Sequence, residues 1–165
     1  MDYEICPMEP KYAQGRGYVH FTAWQETYEE LMDERFLRVH TLKACVDYAL
    51  ERPDNGFVAL AEGSVVGFAC LNGEARDFVS VPAAAEIVAL YVLSAYQGQG
   101  IGSALLGRCF SAYLGRDFAL FVLAGNDRAI RFYERRGFGF TGKALTEERD
   151  GAQIVEMEMV RRHEA

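Results

Sequence analysis

The chain has 165 residues, half of them apolar and a quarter charged, which suits one globular domain and excludes collagen-like, low-complexity and disordered classes. A formal charge of −7 argues against non-specific nucleic-acid binding, because phosphate contacts need clustered Lys and Arg. No apolar run approaches the ~20 residues of a membrane span, and Met1-Asp2-Tyr3-Glu4 lacks the basic-then-apolar start of a secretion signal, so the expected location is cytoplasmic, away from membranes.

Taken in chain order, the apolar spacing predicts a strand over Tyr3 to Cys6 and then a helix over Val19 to Met32, with His20, Trp24 and Tyr28 on one face at i, i+4 and i+8. A second helix is expected over Thr41 to Glu51, with Thr41 as its cap. Strands follow at Phe57 to Ala61, Val65 to Leu71 and Ile87 to Leu93, the first two joined by the hairpin-like Glu62-Gly63-Ser64. A helix over Ile101 to Leu114 buries Ile101, Ala104, Leu105, Cys109 and Ala112. Then come a strand at Phe118 to Leu123, a helix over Asp127 to Arg136, and strands at Phe138 to Thr141 and Ile154 to Val160, with Asp150-Gly151 as a turn. The order β-α-α-β-β-β-α-β-α-β-β, with no repeat or linker, reads as one mixed-sheet α/β domain over residues 1–165.

The charge is unevenly placed. Residues 1–85 hold 14 acidic and 7 basic side chains, whereas residues 86–165 hold 10 of each. Such asymmetry suits either a solvated surface or an anion site in the second half with a cation-preferring surface in the first. Cys6, Cys45, Cys70 and Cys109 are singly spaced, as are His20, His40 and His163. No C-x-x-C, H-x-x-x-H or H-E-x-x-H spacing occurs, so no metal is expected and the cysteines read as reduced core residues.

The densest signal is the run Gln97-Gly98-Gln99-Gly100-Ile101-Gly102-Ser103, which follows a buried strand and opens a helix. First-turn amides lack intrahelical partners and carry the positive end of the helix dipole, while glycines let a phosphate approach the backbone. The three glycines suit an anion cradle, or merely a tight turn. A Walker loop would need a Lys that is absent, and a dinucleotide fingerprint would need a glycine where Ser103 stands.

Gln97-x-x-Gly100-x-Gly102 resembles the Q/R-x-x-G-x-G/A signature of the GNAT N-acetyltransferase superfamily. Leu90-Tyr91-Val92 stands where that family's central strand stands, and Asn126-Asp127-Arg128-Ala129-Ile130-Arg131-Phe132-Tyr133-Glu134-Arg135-Arg136-Gly137-Phe138 is similar to its N-x-x-A-x-x-F-Y-E-x-x-G-F segment. The His20-x-x-x-Trp24-x-x-x-Tyr28 helix looks like the first helix of many bacterial members. The resemblance implies a single-domain α+β fold with a mixed, mostly antiparallel sheet. It also implies acetyl-CoA as co-substrate and transfer of acetyl to a primary amine.

Carried over residue by residue, the resemblance implies that Leu90 and Val92 bind the pantetheine arm and the acetyl carbonyl through their backbones, with Tyr91 between them. Val92 N–H would be the oxyanion donor. The amides of Gln97, Gly98, Gln99, Gly100, Ile101 and Gly102 would face the pyrophosphate, with Ser103 nearby. Gln97 replaces an Arg common in relatives, and Arg128, Arg131 or Arg135 would compensate. Tyr133 would protonate the leaving thiolate, with Phe132 as packing, and Glu86 would accept the amine's proton, directly or through water, unless it is a surface carboxylate. Asn126 either contacts the cofactor or caps the helix after it. Cys109, on a buried stripe, reads as core and not as a nucleophile.

The acidic first half would suit a cationic acceptor: a polyamine, aminoglycoside, amino acid or protein N-terminus. Trp24 and Tyr28 either line that pocket or pack as core. A catalytically silent acyl-CoA-binding sensor is the alternative reading, and homodimers are common among similar proteins.

Overall fold

A computed structural model describes residues 2–163. Seven strands form one sheet in the order β1-β2-β3-β4-β5-β7-β6. The residues group into two compact units, and neither is a continuous stretch of chain. One comprises the chain up to Leu71 together with Ala89–Ala112, and the other Asn72–Val88 together with the chain from Tyr113 onward.

In the first unit, β1 (Glu4–Pro7), β2 (Gly56–Ala61) and β3 (Ser64–Asn72) pair antiparallel, with Glu4 opposite Leu60 and Gly56 opposite Cys70. Glu62 and Gly63 both take positive φ, 50° and 76°. Paired left-handed residues are what a two-residue hairpin turn needs to match strand twist.

Helix α1 (Ala13–Tyr28) starts six residues before the sequence pattern places it and ends four earlier. Gly15 and Gly17 argue against helix by propensity, yet tertiary packing requires them. A Cβ on Gly17 would come within 2.5 Å of Val46 Cγ2 and 2.7 Å of Val46 Cα, so α1 meets α3 (Leu42–Glu51) almost backbone to backbone. The expected Thr41 cap is present, its hydroxyl accepting from Ala44 N–H at 3.1 Å. A one-turn helix, α2 (Glu34–Leu37), is too short for periodicity to reveal; Asp33 caps it by accepting from Arg35 N–H at 2.9 Å.

The last helix of this unit, α4 (Ile101–Ala112), buries Ile101, Leu105, Leu106 and Cys109. Together with Val58, Phe68 and Cys70 they make a core of fully enclosed side chains, each large one contributing about 1.5–3 kcal/mol.

The second unit contains the start of β4 (Ala85–Val92), then β5 (Phe118–Leu123), α5 (Asp127–Glu134), β6 (Gly139–Arg149) and β7 (Ala152–Arg161). Strands β4 and β5 run parallel, but only Ala85↔Phe118 and Glu86↔Ala119 pair; Ile87 and Val88 have no β5 partner. The other pairings here are antiparallel, so the sheet is mixed and mostly antiparallel, as the sequence suggests.

Strand β6 is eleven residues long where four were expected, because most of its residues are exposed and no apolar alternation marks it. Pairing with β7 holds it, with a register shift between Phe140 and Ala144 where Gly142 takes φ 90°. Asp150 and Gly151, at φ 50° and 80°, close that hairpin.

Candidate active site

The glycine run of the first unit has the local geometry an anion cradle needs. After β4 the chain makes a short 3₁₀ turn at Ser94–Tyr96 and reaches α4, whose first i→i−4 bond is Ala104 N–H to the Gly100 carbonyl at 3.0 Å. The amides of Ile101, Gly102 and Ser103 precede that bond. Gly98 and Gly100 take φ +76° and +87°, a region that L side chains rarely adopt. A Cβ on Gly98 would meet nothing within 4 Å, and one on Gly100 only the Tyr3 hydroxyl at 3.5 Å, so the loop surface is open to a bulky group.

Side chains brace the loop from behind. Gln97 Nε2 donates to the Val92 carbonyl at 2.7 Å, and Gln99 Nε2 to the Ala95 carbonyl at 3.3 Å. Glu26 of α1 accepts from both the amide and the hydroxyl of Ser94, at 3.0 and 2.7 Å. Gln97 thus performs a backbone-holding role that its sequence position does not reveal, and no motif marks Glu26 for its bracing role.

Beside Tyr91 lies an aromatic and imidazole cluster. His20 stacks on Tyr91 with centroids 5.2 Å apart and planes at 27°, and Trp24 sits edge-on to Tyr28 at 4.6 Å. Trp24 lies 6.5 Å from Tyr91, and its indole N–H is buried without a hydrogen-bond partner. The helix face read from the sequence therefore assembles as one surface. It also gathers His40, which no sequence spacing linked to it.

Burial, with repulsion from His40 and Arg16, pushes the His20 imidazole down to about 3, so the ring is neutral in ordinary buffers. Burial lowers His40 as well. Cys109 is fully buried and its thiol is pushed up to about 12, mainly by desolvation, which agrees with a core role.

In the second unit, Glu86 is fully buried, not a surface carboxylate. It accepts from Arg76 N–H at 3.1 Å, from Arg76 Nε at 2.9 and 3.0 Å, and from the terminal guanidinium nitrogen at 2.5 Å. Arg76, itself half-exposed, carries no sequence spacing that ties it to Glu86.

Glu158 on β7 is also fully buried. Desolvation pushes its carboxyl up, but hydrogen bonds from Ser80 and Thr141 and the charge of Lys143 outweigh it, leaving it below the usual value. Glu156, two residues earlier, is held above the usual range by burial, with Arg76 opposing. A buried carboxylate raised in this way is a second candidate proton acceptor.

Asn126 caps α5, its Oδ1 accepting from Ala129 N–H at 3.2 Å, which resolves one of its two open readings. Tyr133 is buried between Phe132 and Phe138, at centroid distances of 5.2 and 5.7 Å. Arg128 and Arg131 on the same helix and Arg135 at its C-cap are exposed, while Arg136 lies over the Phe132 ring at 3.6 Å.

These features coincide with similarities to known proteins. Residues 13–138 match the acetyltransferase (GNAT) family. A probable N-acetyltransferase of Mycobacterium tuberculosis is 25% identical over 134 residues, covering 78% of this chain and 75% of the relative. An uncharacterized N-acetyltransferase of Archaeoglobus fulgidus is 31% identical over 112 residues, covering 66% of this chain and 76% of the relative. The PaiA N-acetyltransferase of Thermoplasma acidophilum, solved in complex with coenzyme A, shares the fold at TM-score 0.71 with 19% identity, covering 99% of this chain and all of that one. The chain belongs to the GNAT family of N-acetyltransferases, and so is an acyltransferase. Acetyl-CoA is the co-substrate typical of that family. Among the described residues no helix is long and apolar enough to cross a membrane.

Proposed function

We propose that this protein transfers the acetyl group of acetyl-CoA to the primary amine of a small molecule or peptide by direct attack, without an acyl-enzyme. The observation that carries the reading is the open, left-handed Gly98 and Gly100 ahead of the α4 amides, in a chain of this family. Those amides, with Gln97 through Ser103, bind the pyrophosphate, and the backbones of Leu90, Tyr91 and Val92 receive the pantetheine arm and acetyl group. The amine nitrogen forms the new C–N bond, and the C–S bond breaks. Val92 N–H stabilises the oxyanion, Tyr133 hydroxyl gives its proton to the thiolate, and a carboxylate removes the amine's proton. Glu86 is that carboxylate in the family-like reading. Its ion pair with Arg76 means that a proton arriving there must coexist with, or displace, four hydrogen bonds.

The acceptor is proposed to be a cation, since residues 1–85 carry 14 acidic against 7 basic side chains. Trp24 and Tyr28 present apolar faces suited to its carbon skeleton. The test is thiol release from acetyl-CoA across a panel of polyamines, aminoglycosides, amino acids and peptide N-termini. Turnover with one class supports the reading; tight CoA binding with no turnover on any amine removes it.

A further inference from the structure

Among the described residues, one group of metal-ligating atoms converges from three sequence-distant places: His20 on α1, His40 in the segment before α3, and Cys45 in the first turns of α3. The two Nε2 atoms face each other at 3.1 Å, and one ring nitrogen from each histidine lies with Cys45 Sγ in a set whose members are all within 4.8 Å of one another. We propose that His20, His40 and Cys45 form a binding site for one borderline-soft divalent ion of the zinc type.

The distances suit such an ion. Zinc–nitrogen bonds of 2.0–2.1 Å in a tetrahedral site place two nitrogens about 3.3 Å apart, and a zinc–sulfur bond of 2.3 Å places sulfur about 3.6 Å from each. The imidazoles already stand at nearly that spacing, and the sulfur has no more than about 1.2 Å to close. Without an ion, the 3.1 Å contact needs one Nε2–H and one Nε2 lone pair. With an ion, both rings offer lone pairs: the donor ring's proton moves to its Nδ1, and the thiol proton leaves to solvent. Two imidazoles and a thiolate select zinc-like ions over calcium or magnesium, which need oxygen ligands.

The surroundings make the sulfur essential. Arg16, one turn before His20, is buried and packs over Tyr48 and Phe68, rings that His20 also touches. Its charge opposes a dication, and ionised Cys45 cancels part of that opposition. Trp24 lies flat on His40, 3.7 Å away, and shields one side. On another side His40, alone of the three ligands, lines an open cleft of about 450 Å³ with Phe21, Gln25, Glu34, Arg38 and Thr41; an ion would enter from there, with a water as fourth ligand. Bound there, the ion would tie α1 to α3 beside Tyr91.

The test uses the full chain after chelator treatment, with Zn2+ uptake measured by calorimetry and Co2+ substitution followed by absorption. The wild type is expected to take one equivalent, to melt at a higher temperature with Zn2+, and to show a thiolate-to-cobalt charge-transfer band. His40→Gln and Cys45→Ala should each weaken uptake more than about 100-fold, beyond what loss of an outer-shell partner costs, and Cys45→Ala should lose the band. Cys6→Ser, at a half-exposed thiol elsewhere, should change neither. A wild-type cobalt spectrum without the band overturns the proposal even if no variant folds, as does uptake that is absent or unchanged in both ligand variants. None of these readouts depends on acetyl transfer.

Discussion

The Arg76 guanidinium pairs with the Glu86 carboxylate through three contacts, to which the Arg76 backbone N–H adds a fourth hydrogen bond; the carboxylate is wholly buried and the Arg76 side chain is 46% exposed. Arg76→Ala strips the carboxylate of its counter-charge, but solvent already reaches the Arg side. The expected loss is therefore about 1–3 kcal/mol, below that of a fully enclosed pair. Denaturant midpoints at constant slope measure it. If Glu86 accepts the amine's proton, Glu86→Gln should lower kcat on the order of 10²-fold. An unchanged kcat would transfer the role to Glu156, whose Glu156→Gln variant then carries the loss.

Tyr133→Phe keeps the ring between Phe132 and Phe138 and removes only the hydroxyl. Turnover should fall on the order of 10²-fold while acetyl-CoA affinity stays nearly constant. Parallel kcat and Kd measurements separate the two. A variant as fast as the wild type would leave Tyr133 a packing residue.

Gly100 stands at φ +87° on an open surface, so two effects separate by substitution. Gly100→Ala pays only the backbone term, about 1–2 kcal/mol, seen as lower thermal stability with CoA affinity partly retained. Gly100→Glu adds bulk and negative charge at the amides and should abolish CoA binding in a folded protein. Calorimetry with CoA distinguishes them, and normal affinity in the Glu variant would mean that the phosphate lies elsewhere.

Gly17→Ala should destabilise the fold by about 1–3 kcal/mol, because the added methyl meets the Val46 backbone, which cannot rotate away. Gly107→Ala is the control: it sits within α4 with nothing within 4 Å of its Cβ, and should be neutral or stabilising.

Acid should weaken the protein before its carboxylates titrate. The folded state holds His20 near 3 and lowers His40, so both rings take up protons more readily when unfolded. Their stabilisation is complete above the unfolded value near 6.5 and drains as pH falls toward the folded values. The slope is about 1.4 kcal/mol per pH unit for each ring that titrates only in the unfolded chain. Denaturation between pH 7 and pH 5 measures it; a flat profile would mean the rings stay accessible to protons in the fold.

What the sequence made legible was whatever depends on local order. The Ile101 helix with its Leu105 and Cys109 stripe, the strand Phe118–Leu123 and the Thr41 cap were readable because periodicity and capping act within a few residues. The start of α1 was not, since Gly15 and Gly17 make sense only against Val65 and Val46, far along the chain. Strand β6 was hidden because an exposed strand needs no apolar alternation. In the candidate site, glycine spacing marked the loop, but Arg76 and His40 are joined to their partners by folding alone. Glu86 could be singled out as an acid, whereas its buried pairing could not.

The two margins of the sheet also constrain how copies of this chain can meet. At one margin β1 has four residues and ends in Pro7; at the other β6 displays Glu147 and Glu148. Adding a strand at either rim would strand charges or meet a residue that cannot donate. Continuous sheet growth from molecule to molecule is thereby disfavoured.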